Sequence, residues 1–286
     1  MSNKKSSFSK SVSAIGKKLV KPFIKEKKVI KSSSFHKKDK AKMLSDKSPF
    51  GVKESYGAIR TQLNFSRRNE KCPIFAVTSM TPGDGKTLTC INMAISFARL
   101  NKRVLIIDSD MRNPTVHKFF SLRSENGLSE LLAGFAEAVN FKTTDVDNLT
   151  VLTSGDIPPN PAELLNSEQM DKLLRLVREH FDYVFIDTPP IALVTDATVL
   201  AQRVTGYVIV VRPGHSDIND LKAGIKSLKM LNATITGFVC NDSDDSIRHS
   251  KRAYHKSYSY SYSYNYSYSQ YTASSEKSEE SKADED

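Results

Sequence analysis

The residues best suited to chemistry form a glycine-rich segment at positions 79–87, which reads SMTPGDGKT. The segment follows a short apolar run and precedes a helical pattern, which is where a phosphate-binding loop belongs in an α/β protein. Gly83 and Gly85 allow backbone N–H groups to turn towards phosphate oxygens, and the following helix adds its positive N-terminal end. Lys86 would reach the β and γ phosphates, and the Thr87 hydroxyl would bind Mg²⁺. We therefore expect one set of residues to bind a nucleotide: Pro82, Gly83, Asp84, Gly85, Lys86 and Thr87.

Carboxylates follow two further apolar runs. Asp108 and Asp110 end the segment VLIIDSD, and Asp187 ends the segment YVFID. Because ligands of an open parallel sheet bind beyond the carboxyl ends of its strands, these three side chains should gather near the glycine-rich segment. A single aspartate in such a place is usually a helix cap or a turn former, but three of them beside GKT favour a site for Mg²⁺, which prefers oxygen ligands.

The elements that must position these residues alternate along the chain. Apolar runs at 74–77, 104–107, 151–152, 183–186, 206–211 and 236–240 are separated by helical patterns at 87–100, 128–138, 162–180, 194–203 and 217–231. Continuous apolar strands between helices are typical of a mostly parallel sheet that is covered on both faces. The pattern predicts an α/β fold, a three-layer sandwich of the P-loop NTPase type, in one domain at residues 48–247.

The net charge of +10 is concentrated in an N-terminal extension, residues 1–47, which holds 15 lysines against three acidic residues. Its composition predicts disorder. Apolar residues at helical spacing between lysines at 15–24 could lie on an anionic membrane surface, although a solvated tail is the alternative. Since the remaining chain is close to neutral, the basic charge does not indicate a nucleic-acid groove. No apolar stretch is long enough to span a bilayer and no signal peptide is recognisable, so we expect a cytoplasmic protein.

The C-terminal segment, residues 248–286, contains a run in which tyrosine and serine alternate. Such alternation could form a strand, but one face would be all tyrosine and no turn would fold the strand back, so we expect a disordered, accessible tail. Eight of the chain's 11 tyrosines lie there: Tyr254, Tyr258, Tyr260, Tyr262, Tyr264, Tyr266, Tyr268 and Tyr271.

Taken in order, these motifs resemble those of the bacterial tyrosine kinases, a P-loop family associated with capsule and exopolysaccharide synthesis. The matching segments are TSMTPGDGKT, VLIIDSDMRNP, SGDIPPNPAELL, VFIDTPP and the terminal tyrosine cluster, and they cover about residues 50–271. The resemblance implies an ATP- and Mg²⁺-dependent protein-tyrosine kinase whose substrates include its own terminal tyrosines. It also implies regulation of polysaccharide polymerisation and export.

The resemblance also implies roles for individual residues. Asp108 would be the main Mg²⁺ carboxylate, and Asp187 would support the metal, mainly through water. Asp110 would accept the proton of the tyrosine hydroxyl, which is useful because the tyrosine pKa of about 10 leaves little phenolate at neutral pH. Arg112, close to Asp110 in sequence, would either stabilise the transferred charge or pair with a carboxylate.

Partners follow from the resemblance as well. Family members are either fused behind a transmembrane domain or separate chains that a membrane protein activates, and this sequence looks like the separate form. The implied partner is a transmembrane activator that controls polysaccharide chain length, with recruitment of the kinase to the inner face of the cell membrane.

Ring assembly of the family depends on a motif E-x-x-R-x-x-R near the start of the domain. Glu54 and Arg60 match its first and last positions, but Gly57 replaces the middle arginine. We therefore expect a homo-oligomer through Glu54 and Arg60 that Gly57 weakens. The alternative is a surface helix with an ion pair between the two residues.

Two rival functions belong to other classes. Partitioning and division-site ATPases carry a second lysine early in the loop, where this chain has Thr81, and they lack a tyrosine tail. The other rival is a nucleotide-dependent scaffold that binds ATP and a membrane partner but transfers little phosphate. Intact Lys86, Asp108 and Asp110 disfavour the scaffold without excluding it.

Overall fold

The structure is a computed structural model, and it describes residues 39–66 and 70–242. Several sequence predictions lie outside these residues: most of the N-terminal extension, the apolar and lysine-rich stretch at 15–24, and all eight tyrosines of the C-terminal segment. Within the two described ranges, no helix is both long enough and apolar enough to cross a membrane.

Seven strands form one sheet, and they are β1 (Ile74–Ser79), β2 (Val104–Asp108), β3 (Lys142–Thr143), β4 (Leu149–Leu152), β5 (Tyr183–Asp187), β6 (Gly206–Val211) and β7 (Ile235–Cys240). The α-helices of the described residues are α1 (Phe50–Ser66), α2 (Lys86–Ala98), α3 (Val116–Phe120), α4 (Leu128–Leu132), α5 (Pro161–Leu165), α6 (Glu168–His180) and α7 (Ile218–Met230). A short 3₁₀ turn spans Thr198–Leu200.

The strand order is β3-β4-β2-β5-β1-β6-β7, and every neighbouring pair is parallel except β3 with β4. The strands β1, β2, β4 and β5 are buried along their whole length, which explains their continuous apolar sequences. Clusters of buried apolar side chains lie on both faces of the sheet. The predicted fold class is confirmed. β3 left no sequence signal because two residues are too few to show a period.

The helical patterns at 87–100 and 217–231 correspond closely to α2 and α7. The pattern at 162–180 is two helices, because Ser167 interrupts it and caps α6 by accepting a hydrogen bond from the Met170 N–H. The pattern at 128–138 is helical only in α4. At 194–203 the prediction of a helix was wrong: only the 3₁₀ turn forms there.

α1 packs on α2 through the buried side chain of Leu63, with Tyr56 and Ile59 against the same core. The Arg60 guanidinium donates hydrogen bonds to the Ser96 carbonyl oxygen at 3.1 Å and to the Ser96 hydroxyl at 2.9 Å. Among the ion pairs of the described residues none joins Arg60 to Glu54, which is exposed, so the alternative of an ion pair between them was wrong. Packing also begins before residue 48, because Leu44 is buried and its N–H donates to Asn92 Oδ1 at 2.7 Å.

Candidate nucleotide and phosphotransfer site

The glycine-rich segment forms the turn between β1 and α2. Gly83 and Gly85 have φ angles of +88° and +89°, in the left-handed region that side chains other than glycine disfavour. α2 begins at Lys86, and the Thr89 N–H donates to the Gly85 carbonyl oxygen at 2.9 Å. Two left-handed residues before a helix N-terminus are suited to directing backbone N–H groups at an anion.

The three predicted carboxylates lie at the ends of neighbouring strands, and the structure places them beside Lys86 and Thr87. Asp108 of β2 and Asp187 of β5 are register partners, and both are fully buried. The Thr87 hydroxyl donates to Asp187 Oδ2 at 2.7 Å. The Lys86 ammonium donates to Asp110 Oδ2 at 2.8 Å and lies 3.7 Å from Asp187 Oδ1. We call Asp108, Asp110 and Asp187 the acidic cluster.

Burial and mutual repulsion determine the electrostatics of the acidic cluster. Burial, together with the charge of Asp187, raises the pKa of Asp108 well above its ordinary value. Burial also raises the pKa of Asp187 to about 6, although Lys86 opposes the shift. Burial alone would lower the pKa of Lys86, but Asp187 and Asp110 outweigh it and raise that pKa to about 12. Lys86 therefore stays charged, whereas burial and the charge of Asp187 disfavour the ionised form of Asp108.

The donor atoms fit a divalent cation. Asp108 Oδ1 and Asp187 Oδ1 are buried and accept no hydrogen bond from any described residue. Within the described ranges no group of three His, Cys, Asp or Glu side chains is arranged to hold a metal alone. The two carboxylate oxygens suit Mg²⁺, which uses one or two carboxylates and takes its other ligands from phosphate and water.

Replacing Asp108 by Asn is expected to stabilise the nucleotide-free protein by about 1–2 kcal/mol, because it removes a carboxyl group whose ionised form is disfavoured by burial and by Asp187. The amide oxygen can keep the hydrogen bond that Asp108 Oδ2 accepts from the Val116 N–H at 3.1 Å. Chemical denaturation without Mg²⁺ measures the gain, and calorimetry with Mg-ADP should show weaker binding. Asp147→Asn, a surface substitution with the same charge change, is the control. A destabilised Asp108→Asn variant would contradict the explanation that burial and Asp187 disfavour the Asp108 carboxylate.

Arg112 pairs with Asp196, a fully buried carboxylate in the loop that follows β5. Its Nε donates to Oδ2 at 2.8 Å and its Nη2 donates to Oδ1 at 3.0 Å. Of the two roles expected from the sequence, pairing with a carboxylate is therefore the one present in this structure.

Other predicted site residues have different surroundings. Pro82 and Gly83 are exposed at the tip of the loop. The Asp84 side chain is fully buried and turned to Thr81, His215 and Ser216, so only the backbone of Asp84 can face a nucleotide. Sequence reasoning missed His215 and Ser216, since they lie more than 130 residues away and have no motif of their own.

Comparison with known proteins identifies the family of this chain. An AAA domain family model matches residues 73–236. The tyrosine-protein kinase CpsD of Streptococcus pneumoniae serotype 4 is 36% identical over 198 residues, which are 68% of this chain and 86% of CpsD. The tyrosine-protein kinase YwqD of Bacillus subtilis is 37% identical over 205 residues, 71% of this chain and 85% of YwqD. The chain belongs to the bacterial tyrosine kinase family.

The kinase also resembles solved structures of the family. The kinase domain of the Escherichia coli tyrosine kinase ETK superposes with a TM-score of 0.63 at 32% identity, covering 72% of this chain and 80% of that one. The predicted family is confirmed, and the enzyme class is protein-tyrosine kinase. The P-loop fold of this kinase implies nucleotide binding. The family assignment decides against a partitioning-type ATPase.

Proposed function

We propose that the kinase transfers the γ-phosphoryl group of ATP, with Mg²⁺, to the tyrosines of its own C-terminal segment. In this role it regulates the polymerisation and export of a capsular polysaccharide or exopolysaccharide. One observation carries the proposal: the Lys86 ammonium lies between Asp110 and Asp187, at the start of a helix that follows two left-handed glycines. A cation, anion-binding backbone and oxygen ligands for a metal thus meet at one edge of the sheet.

Different residues of the site are proposed to bind the phosphates and the metal. Lys86 neutralises charge on the β and γ phosphates, and the backbone of residues 82–87 binds the phosphate oxygens. Thr87 and Asp108 would hold Mg²⁺, with Asp187 acting mainly through water. When bound, the metal would neutralise the negative charge that develops on the phosphates.

Asp110 is the proposed base. In this structure it is paired with Lys86 at 2.8 Å. When Lys86 turns to the phosphates, Asp110 loses that pairing and can accept the phenolic proton. The tyrosine oxygen then forms a bond to the γ-phosphorus while the bond between that phosphorus and the bridging oxygen breaks. The products are ADP and phosphotyrosine, and the proton is on Asp110.

The other tyrosines of the chain are poor acceptors, which supports the C-terminal cluster as the substrate. Tyr183 and Tyr207 are buried, and their hydroxyls donate to Asn64 Oδ1 at 2.9 Å and to the Ala197 carbonyl oxygen at 2.6 Å. The Tyr56 hydroxyl accepts a hydrogen bond from Asn92 Nδ2 at 3.3 Å. Phosphorylation of Tyr183 or Tyr207 would require local unfolding, and Tyr56 would have to give up its hydrogen bond to Asn92 and its packing against the core.

Incubation of the purified chain with γ-labelled ATP and Mg²⁺ tests the proposal. Label on tyrosine supports it. Release of free phosphate without labelled protein would instead indicate an ATPase, and absence of both products would indicate a nucleotide-dependent scaffold. The same assay should include the cytoplasmic part of the membrane activator, because the proposal includes a transmembrane partner that orders the nucleotide site.

We propose a homo-oligomer, such as a ring, in which the tyrosine segment of one chain enters the active site of a neighbour. Phosphorylation of the C-terminal tyrosines would loosen this oligomer. Each phosphotyrosine adds about −1.5 to −2 charges, so eight would convert a nearly neutral segment into a polyanion. Light scattering with and without Mg-ATP measures the mass. An unchanged mass in a phosphorylated sample would rule out this switch.

Gly57→Arg is expected to strengthen the oligomer, because it restores the middle arginine between Glu54 and Arg60. A side chain fits there, since the nearest heavy atom to a Cβ at Gly57 would be Arg60 Nη2 at 3.9 Å. Gly57→Ala is the matched control, because it removes the glycine penalty of about 1 kcal/mol in α1 without adding charge. Sedimentation velocity should show a larger oligomer fraction for the Gly57→Arg variant and not for the Gly57→Ala variant. An equal increase for alanine would assign the effect to helix stability.

Recruitment to the inner face of the membrane is part of the proposal, through the activator and through the lysine-rich residues 15–24 on anionic lipid. No role with nucleic acid is proposed, because the basic charge lies in the N-terminal extension.

A further inference from the structure

Behind the phosphate loop lies a group of polar side chains that no role above uses. We define the phosphate-loop brace as Asp84, His215, Ser216 and Asn241. We infer that His215 and Asn241 are positioning residues for nucleotide binding: through Asp84 they hold the loop, before any nucleotide binds, in the shape that turns its N–H groups to phosphate. This inference rests on the proposed function, since it assumes that residues 82–87 bind the nucleotide.

Asp84 is the centre of the brace. Its carboxylate is fully buried, and Oδ2 accepts hydrogen bonds from the Thr81 N–H at 3.3 Å and the Thr81 hydroxyl at 3.1 Å. Its Oδ1 faces His215 Nδ1 at 2.9 Å and accepts from the Ser216 hydroxyl at 2.8 Å. A buried carboxylate beneath an anion site would be unfavourable without such partners, so these contacts are needed for Asp84 to hold the loop from inside.

Asn241 orients a peptide bond of the loop. Its Nδ2 donates to the Asp84 carbonyl oxygen at 2.8 Å. Because the peptide bond is planar and trans, the C=O of Asp84 and the N–H of Gly85 point in opposite directions. The bond to Asn241 therefore directs the Gly85 N–H to the other side of the loop, where an anion would bind.

The brace side chains lie against both glycines of the loop, and Asn241 leaves no room for a side chain at Gly85. A Cβ at Gly85 would collide with the Asn241 amide, and a Cβ at Gly83 would lie 3.4–3.5 Å from the His215 ring. Both left-handed residues thus lie against a brace side chain. Holding the loop in this shape in advance lowers the ordering cost that nucleotide binding must otherwise meet.

The sheet brings the brace together. β1, β6 and β7 are consecutive neighbours in the sheet and parallel, so the loop after β1, the turn after β6 and the residue after β7 share one edge. The Ser216 N–H donates to the Arg212 carbonyl oxygen at 2.9 Å, and the Asn241 N–H donates to the Val211 carbonyl oxygen at 2.8 Å. Both brace segments are therefore fixed by backbone hydrogen bonds.

The test is calorimetric titration of the full chain with Mg-ADP. Asn241→Asp replaces the donor to the Asp84 carbonyl by an acceptor, and Asn219→Asp, at an exposed position of α7, is the control for charge. His215→Ala removes the contact with Asp84. His215→Asn keeps an amide nitrogen near the position of Nδ1. His180→Ala, on the far side of the sheet, is the control for loss of a histidine.

We expect Asn241→Asp and His215→Ala to raise the Kd for Mg-ADP about tenfold, which corresponds to about 1.4 kcal/mol. His215→Asn and both controls should stay within about twofold of the parent chain, because His215→Asn keeps a nitrogen near the position of Nδ1 and neither control replaces a brace residue. Melting in the absence of nucleotide is recorded for every variant, and the rescue by His215→Asn separates positioning from a general loss of structure.

Two results would overturn the inference. The first is parent-like affinity for Mg-ADP in both Asn241→Asp and His215→Ala, and the second is a His215→Asn variant that binds Mg-ADP as weakly as His215→Ala. In either case the parent chain still binds Mg-ADP, and the proposed function stands. If the parent chain itself binds no Mg-ADP, the proposed function falls, and the brace falls with it.

Discussion

Lys86→Met is expected to lower tyrosine phosphorylation by the purified kinase by at least about 100-fold, the usual effect of removing one charged or hydrogen-bonding group that stabilises a transition state. Methionine keeps the length of the side chain and loses the charge. The phosphates then meet Asp110 and Asp187 without the ammonium that lies 2.8 Å and 3.7 Å from those carboxylates. Quantitative detection of phosphotyrosine after incubation with Mg-ATP gives the rate.

The control is Lys102→Met, an exposed lysine at the opposite edge of the sheet, which should phosphorylate as the parent does. Loss of Lys86 also leaves buried carboxylates without their partner, which commonly costs about 3–5 kcal/mol of stability. The Lys86→Met chain is therefore also offered as a substrate to the parent kinase. Phosphorylation in trans, together with no activity of its own, assigns the loss to catalysis. A variant as active as the parent would show that the loop is assigned wrongly.

Truncation after Arg252 is expected to abolish nearly all self-phosphorylation while Mg-ADP binding is kept. The truncated chain loses all eight clustered tyrosines, and Tyr56, Tyr183 and Tyr207 are held in the folded domain by packing and hydrogen bonds. Tyrosine phosphorylation of a separate peptide with the sequence of residues 254–271 measures the remaining catalytic activity.

A full-length chain with phenylalanine at the eight positions is the matched control, because it keeps the length of the segment and removes only the hydroxyls. It should also lack phosphotyrosine. Mass spectrometry of the parent chain gives the sites directly. Phosphate found mainly on Tyr56, Tyr183 or Tyr207 would contradict the choice of acceptor, although the kinase class would stand.

Much of the site was predictable because its signals are local. Gly83 and Gly85 mark a turn that needs left-handed backbone, and Lys86 and Thr87 follow where a helix begins. Asp108 and Asp187 end apolar runs, and the general rule that ligands bind at the carboxyl ends of parallel strands places both near the loop. The structure has these residues within one site. Their catalytic and metal-binding roles stay predictions.

Other features left no trace in a single stretch of sequence. The helical pattern at 194–203 was misleading, because its apolar residues Leu200 and Ala201 are buried from a 3₁₀ turn and the residue after it, without an α-helix. Ser167 was one polar residue in a long helical pattern, yet its capping contact divides that pattern in two. Periodicity reports which residues are buried, and it does not report which backbone conformation buries them.

The sequence by itself determined the fold class, the family and the order of the motifs, because glycine, charge and apolar period act over a few residues. Only the tertiary structure decided which distant side chains meet. Arg112 pairs with Asp196, Arg60 with Ser96, and Asp84 with the elements that hold the phosphate loop from behind. These contacts join residues 36 to 157 positions apart. They depend on strand order and loop packing, and a one-dimensional pattern contains neither.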